Sequence, residues 1–446
     1  MLITRIKKLG VVDRDKSIHH KISRPTAEWA KQGIIYEIYT RCFTSKGTFK
    51  SLETHLPRLK ELGVDIIWLM PIHPIGITER KGKLGSPYSV RDYFEINPEY
   101  GTKQDFKHLV NEIHNIGMRI IIDMVANHSA NDYIAIKDHP DWFAKDKIGH
   151  FTRKISHWSD VTDLNYQNSE LRQYTKNAIL YWIKEFNIDG YRCDVAGMVP
   201  DDFWDDVRQE LNKIRQDIFL LAEWEDPQMH LFSFDATYDW ILYYKYIEVS
   251  QGKVSPEEII DLLIERRQEF PIYAPRLRFI ENHDKQRAIA TFGDRFFRPL
   301  AIFIFTIDGI PLIYNGQEIG ETDYLSLFEK GQIKWDRTRG KEIYGFYKFL
   351  ISLRKQNPVL VTGDLMKIGN DQPDKLVTFH RMDQRGTQAF VTINFSGETV
   401  RFNKPHFPLN SESLMIQVNS QMKIRYLEKD NYLTIAPFDG IIIFNS

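Results

Sequence analysis

The sequence predicts an α/β fold: a closed parallel (β/α)8 TIM barrel with a short insertion after its third strand, followed by a C-terminal antiparallel β-sandwich. Three observations predict it. Short apolar runs alternate with helical-period segments eight times between Gly33 and Lys355, and eight strand-helix repeats close a parallel barrel rather than leave an open sheet. Four of those runs end in polar side chains, at Asp123 and His128, at Arg192 and Asp194, at Glu223, and at His283 and Asp284. From about Leu360 the texture changes to short alternating runs such as LVTFHRM and TQAFVTINF, separated by Gly, Pro, Asn and Asp, which is the pattern of antiparallel strands. The expected organisation is a barrel over 1–126 and 169–358, an inserted subdomain over 127–168 and a sandwich over 359–446.

Taken in order, the charged opening segment to about Gln32 reads as a surface strap or a short leading element. GIIYEIYTRCF, Gly33 to Phe43, reads as the first strand. Ser51 to Leu62 reads as a helix ended by Gly63, and VDIIWLMP as the second strand. The loop that follows, IHPIGITERKGKLGSPYSVRDYFEINPEYGT, has the length of a lid or a ligand-binding segment. Lys103 to Ile116 places Phe106, Leu109, Val110 and Ile113 at helical spacing. The third strand, Met118 to Val125, leads into the polar, aromatic stretch Asn127 to Asn168, which has no clear period and is expected to protrude.

Beyond the insertion come helix Ser169 to Phe186, the central strand, helix Asp201 to Arg215 and strand Ile218 to Glu223. LFSFDATYDW gives a sixth strand and PEEIIDLLIERRQEF its helix. RLRFIENHD is the seventh strand, FRPLAIFIFTI the seventh helix and GIPLIYNGQEIG the eighth strand, with Glu342 to Lys355 closing the series.

Composition narrows the function classes. The chain has 446 residues, 42% hydrophobic and 27% charged, the balance of a soluble globular protein with a large core. Its net charge is −1, from 59 basic and 60 acidic residues, so no global field favours nucleic acid or an anionic membrane. The two cysteines, Cys42 and Cys193, are far apart and offer neither a disulfide framework nor a metal spacing. The N-terminal segment never reaches the apolar length of a signal-peptide core, and the longest apolar run, Leu300 to Ile307, is too short to span a bilayer. A cytoplasmic location is expected, and the oligomeric state is left open.

The centre of the chain is FNIDGYRCDVAG, Phe186 to Gly197. In a strand, Arg192 and Asp194 point to one face and Cys193 to the other. An arginine two positions before a carboxylate keeps it ionised by charge and hydrogen bonding, as a nucleophile requires. A structural ion pair explains this segment alone equally well. The convergence of the other strand ends decides for a site, because barrel enzymes place theirs at the C-terminal ends of the strands. Three carboxylates and two imidazoles on one rim suit glycosidic bond cleavage: one carboxylate attacks or stabilises an oxocarbenium-like centre while another, kept protonated, donates to the leaving oxygen. Glu223, with Trp224 beside it and no neighbouring cation in sequence, is the expected acid.

The segments DMVANH, GYRCDVAG, LLAEWED and FIENHD, with GIPLIYNGQE on the last strand, resemble the ordered motifs of the alpha-amylase family, glycoside hydrolase family 13. The resemblance spans nearly the whole chain, and the ordered set is far more specific than any one motif. It implies Asp194 as the nucleophile, Glu223 as the general acid and base, and Asp284 as the third carboxylate, which binds sugar hydroxyls. It implies Arg192 as the nucleophile's partner, His128 and His283 as ligands of the sugar before the scissile bond, and Tyr88, in PYSVRDYF, as the ring that stacks on that sugar. Asp123 is expected to orient Arg192. Without the set, His128 and His283 would read as satisfied core histidines and Tyr88 as loop packing.

The implied activity is that of a retaining hydrolase acting on α-1,4 links of malto-oligosaccharides or starch, an alpha-glucan oligosaccharide being the partner. A 4-alpha-glucanotransferase, or an alpha-glucosidase or neopullulanase-type enzyme, would use the same residues. A non-catalytic accessory homologue is the remaining reading, against which all three carboxylates are present. Many family members bind calcium between barrel and insertion, through an asparagine like Asn127 and the backbone of a histidine a few residues after the nucleophile. Here Ala196 to Pro200 lacks the usual lysine and histidine, so no cofactor is expected to be required, no metal ligands are assigned, and calcium is not favoured.

Overall fold

The computed structural model describes residues 17–403, 413–425 and 431–445. Residues 1–16, which hold most of the expected leading strap, and the ends of the expected strands TVRFNKP and MKIRYLE lie outside the described residues.

Eight parallel strands form a closed barrel: β1 (Ile35–Ile38), β2 (Ile66–Leu69), β3 (Arg119–Met124), β4 (Gly190–Cys193), β5 (Phe219–Ala222), β6 (Ala236–Tyr238), β7 (Arg276–Arg278) and β8 (Ile310–Tyr314). Each lies beside its neighbour in the chain, and β1 pairs with both β2 and β8, which closes the sheet. The strands are buried at almost every position, which is why most of them read as apolar runs rather than alternating ones, with the buried charges at Glu37, Arg192, Arg276 and Arg278 among the exceptions. Gly190 opens β4 because a Cβ there would lie 1.9 Å from the carbonyl oxygen of Phe219, so no larger residue lets β4 and β5 pair.

Helices cover the outside. Lys103–Asn115 buries Phe106, Leu109, Val110 and Ile113, the apolar stripe that predicts it, and starts at a reciprocal cap between Thr102 and Asp105. Ser169–Phe186 is capped by Asn168, whose side chain accepts from Glu170 and Leu171 N–H.

Several elements are shorter or more broken than the sequence suggests. The first strand stops at Ile38, and Thr40–Phe43 is a helical turn. The run Ser51 to Leu62 forms two helices, Phe49–Glu53 and Leu56–Leu62, the second with a proline in its first turn, where its missing N–H costs nothing. The seventh strand covers only Arg276–Arg278; Phe279 to Asp284 form a loop, which frees the His283 and Asp284 side chains for the barrel mouth. The seventh helix begins earlier than read, spanning Ala288–Thr306 across a kink at Gly293. The sixth strand is followed by two helices, Trp240–Ser250 and Glu257–Arg267. The first of these hides from a periodicity reading because it is apolar and aromatic on most faces.

The insertion leaves and returns through a two-stranded antiparallel ladder, His128–Ala130 with Val161–Asp163. Among the described residues, the C-terminal region holds a six-stranded sheet and a two-stranded one, Val400–Asn403 with Tyr432–Ile435. A separate core of Leu376, Phe390, Val400, Phe402, Leu433, Ile435, Ile441 and Ile443 draws on both sheets, as in a sandwich. The larger sheet turns its other face to helix Ala288–Thr306, where Phe303 and Phe379 meet edge to face at 5.8 Å and Arg381 donates to the Thr306 carbonyl at 3.1 Å. Among the described residues no helix is long and apolar enough to cross a membrane.

Candidate active site

β3, β4 and β5 lie side by side, and their register sets Asp123 opposite Arg192. The Arg192 guanidinium is fully buried. Its Nη1 donates to Asp123 Oδ1 at 2.9 Å and to Asp194 Oδ1 at 2.8 Å, its Nη2 lies 2.8 Å from Glu223 Oε2, and its Nε donates to the Tyr238 hydroxyl at 3.3 Å. Glu223 has no cation beside it in sequence, but the fold brings one to it. Arg192 is distant in sequence but stands on the adjoining strand. The backbone N–H of Val195 also donates to Glu223 Oε2, at 2.8 Å. It is aimed there by a left-handed backbone at Val195, φ +35°, a conformation that β-branched residues rarely adopt.

One guanidinium faces three carboxylates, so it cannot neutralise them all. Burial pushes the Glu223 carboxyl up to about 8; Arg192 pulls it back, while Asp194 and Asp284 push it further. Burial likewise raises Asp123 to about 7 against the pull of Arg192. Asp194 and Glu223 are each only 7% exposed, which leaves water little room to screen these charges. The cluster thus sets Glu223, a carboxyl held protonated at neutral pH, beside Asp194 on one shared guanidinium.

The second half of the site is carried by the β7 loop. His283 Nδ1 bonds to Glu37 Oε1 on β1, Nε2 lies 2.7 Å from the Tyr88 hydroxyl and 3.5 Å from Asp284 Oδ2, and the Tyr88 hydroxyl donates to Asp123 Oδ2 at 3.2 Å. Burial alone would lower the His283 imidazole, but Asp284 and Glu37 overcome it and raise it to about 9. The Tyr88 ring stacks on His283 at 5.3 Å and 18°. His128 is the opposite case, for burial lowers it. Its Nδ1 lies 3.0 Å from Asn127 Nδ2.

A cavity of about 300 Å³ opens over this cluster, lined by Asp194, Glu223, Asp284, Tyr88, His128 and His283. Arg192 lies beneath its floor. The structure therefore brings all seven sequence-derived residues to one place. A larger cavity, about 950 Å³, lies elsewhere, bounded in part by Arg276, Arg278 and Asp308. Arg276 and Arg278 are committed to Glu225 and Asp239, and the cavity holds none of the strand-end carboxylates Asp194, Glu223 and Asp284, so the smaller cavity is the site.

Sequence reasoning missed several residues of the site, among them Glu37, which bonds to His283 behind the cavity. Glu37 had a signal, as a charge inside the apolar run GIIYEIY. Trp240, Tyr244 and Lys285 line one side of the cavity, with Lys285 Nζ 2.8 Å from the Tyr244 hydroxyl and 4.7 Å from the Trp240 ring centre. They belong to the unread helix and to the residue after Asp284. Trp158, from the insertion, meets the His128 ring at 5.2 Å.

The oxygens that the family pattern would offer to calcium are otherwise engaged. Lys154 Nζ donates to Asn127 Oδ1 at 2.9 Å and to the Met198 carbonyl at 3.0 Å. A calcium ion needs six to eight oxygens at about 2.3 to 2.6 Å. An ammonium already bonded to two of them does not fit that requirement.

Comparison with known proteins agrees with the geometry. The family model described as the alpha amylase catalytic domain matches residues 29–154 and 133–339. The "Alpha-amylase 2" of Dictyoglomus thermophilum is 30% identical over 84% of this chain and 71% of its own length. The "Alpha-amylase MalA" of Haloarcula japonica is 28% identical over 84% of this chain, which spans only 57% of that relative. The crystal structure of a noncanonic maltogenic alpha-amylase from Thermotoga neapolitana superposes with a TM-score of 0.85 at 35% identity, over 93% of this chain and 99% of that one.

Proposed function

This chain belongs to the alpha-amylase family and is a glycoside hydrolase, and from that premise we propose that it cleaves α-1,4-glucosidic bonds of malto-oligosaccharides with retention of configuration. The observation that carries the reading is the single Arg192 guanidinium shared by Asp123, Asp194 and Glu223, in a buried cluster where desolvation raises the Glu223 carboxyl to about 8.

In the first step an Asp194 oxygen attacks the anomeric carbon as the bond to the leaving oxygen breaks, and Glu223 gives that oxygen its proton. A glucosyl ester on Asp194 results. In the second step Glu223, now a carboxylate, takes a proton from water as the water oxygen attacks the same carbon and releases Asp194. Asp284, His128 and His283 hold the hydroxyls of the reacting sugar, and Tyr88 stacks on its ring. Arg192 and Asp123 keep Asp194 in place.

The test is a time course on maltoheptaose, following reducing ends, chain lengths and, by proton NMR, the anomer released first. Rising reducing ends, shorter chains and an initial α-anomer support the proposal. Redistribution into longer and shorter chains at constant reducing ends would make the enzyme a glucanotransferase, and an initial β-anomer would rule out retention. Parallel assays on pullulan and cyclomaltodextrin decide whether the linkage preference is of the neopullulanase type.

A further inference from the structure

At the point where the insertion meets the barrel, the partly solvent-exposed Lys154 side chain bridges the two. Lys154 Nζ reaches Asn127 Oδ1 after β3 and the Met198 carbonyl after β4, at 2.9 and 3.0 Å. The Lys154 backbone N–H donates to Asp163 Oδ2 at 2.6 Å, so a negative charge stands beside the same joint. An ammonium has three donors and no acceptor. One side chain therefore ties together three segments: the insertion, the loop that carries His128, and the turn that follows Asp194.

The contact also has a chemical consequence for His128. Because the ammonium only donates, the Asn127 atom facing it is the oxygen, and the amide nitrogen is left to face the ring. That nitrogen lies 3.0 Å from His128 Nδ1, and an amide nitrogen only donates. Nδ1 is then the unprotonated nitrogen, and the ring proton sits on Nε2. On the other side, the Met198 N–H closes on the Val195 carbonyl at 2.8 Å, within the turn whose N–H holds Glu223. Anchoring the Met198 carbonyl therefore steadies the turn after Asp194.

We propose that Lys154 is a built-in monovalent cation for this joint, taking the place of a bound divalent ion and acting as a positioning residue that fixes the Asn127 amide, the His128 tautomer and the turn after Asp194. The joint then needs no added metal to assemble. The inference concerns the folded chain and stands whether or not the substrate is an alpha-glucan.

The test combines melting of the intact protein with kinetics of three variants. Dialysis against a chelator, then addition of calcium chloride, is expected to leave the melting temperature of the unaltered chain where it was. Lys154→Met keeps the stem and removes the ammonium; it is expected to lower the melting temperature and cost about ten-fold in kcat/KM, the scale of an orienting contact. Lys154→Arg, still donor-only, is expected to recover most of that loss. Lys154→Gln, which can turn its own oxygen or nitrogen to the amide, is expected not to. Loss of melting temperature on chelation with recovery in calcium chloride overturns the proposal. So does a Lys154→Met protein that matches the parent in both melting and kcat/KM. Should Lys154→Met fail to fold, the chelation result and the Arg against Gln comparison decide.

Discussion

The backbone N–H of Val195 and the carboxyl of Glu223 lie in hydrogen bond at 2.8 Å, so the residue after the proposed nucleophile holds the proposed acid. Val195 does this with a backbone at φ +35°, a conformation that costs roughly 1 to 2 kcal/mol for a residue with a Cβ. The strain sits beside the reacting groups, where it fixes the two carboxyls relative to one another.

Removing either carboxyl separates their roles. Asp194→Asn is expected to lower kcat on maltoheptaose and on an activated aryl maltoside alike, by about 10³-fold or more. Glu223→Gln is expected to do so on maltoheptaose, yet to keep substantial release of a dinitrophenolate, which leaves without a proton. Equal losses on both substrates in the first-turnover burst, before the base step, would remove Glu223 from the acid's role.

The raised Glu223 carboxyl sets the alkaline limit. Its protonated form is the working acid, so kcat/KM is expected to fall as pH rises through about 8. The same shift governs stability. A carboxyl raised in the folded state stabilises the fold fully below its unfolded pKa, about 4.3, and that contribution is lost as pH rises toward its folded value. The melting temperature of Glu223→Gln, relative to the parent, is therefore expected to climb from pH 5 to pH 8 and then level. A difference independent of pH would contradict the assignment.

Gly197 is closed to any side chain. A Cβ there would lie 2.2 Å from the Trp224 ring, and Trp224 follows Glu223 directly. Gly197→Ala is expected to destabilise by about 1 to 3 kcal/mol through overpacking and to lower kcat as the ring shifts Glu223. Urea melts with kinetics at two pH values check it; unchanged kcat would show the tryptophan moving without the acid.

Trp240, with Lys285 over its ring at 4.7 Å, forms the wall beyond Asp284. Trp240→Ala is expected to raise KM for maltoheptaose by about ten-fold, the order of one aromatic stacking contact, and that for maltotriose much less. Equal effects on both chain lengths would place the ring over the reacting sugar instead.

The sequence by itself determined the architecture, because most barrel strands, buried on both faces, leave largely apolar runs, while helix Lys103–Asn115 and its like leave a 3.6-residue stripe. It also pointed to the candidate site residues, since Asp194 and Glu223 directly follow two of these strands and His283 and Asp284 lie in the loop after the seventh strand. Tertiary structure decided the rest. That Arg192 serves Glu223 as well as Asp194 depends on the pairing of β4 with β5, which no spacing encodes. That Glu37 meets His283 depends on closure of the barrel through β1 and β8. That Lys154 reaches Asn127 and Met198 depends on how an aperiodic insertion folds back on the barrel. Local pattern reports which face of an element is buried; which charges share that burial is fixed only by contacts between segments distant in the chain.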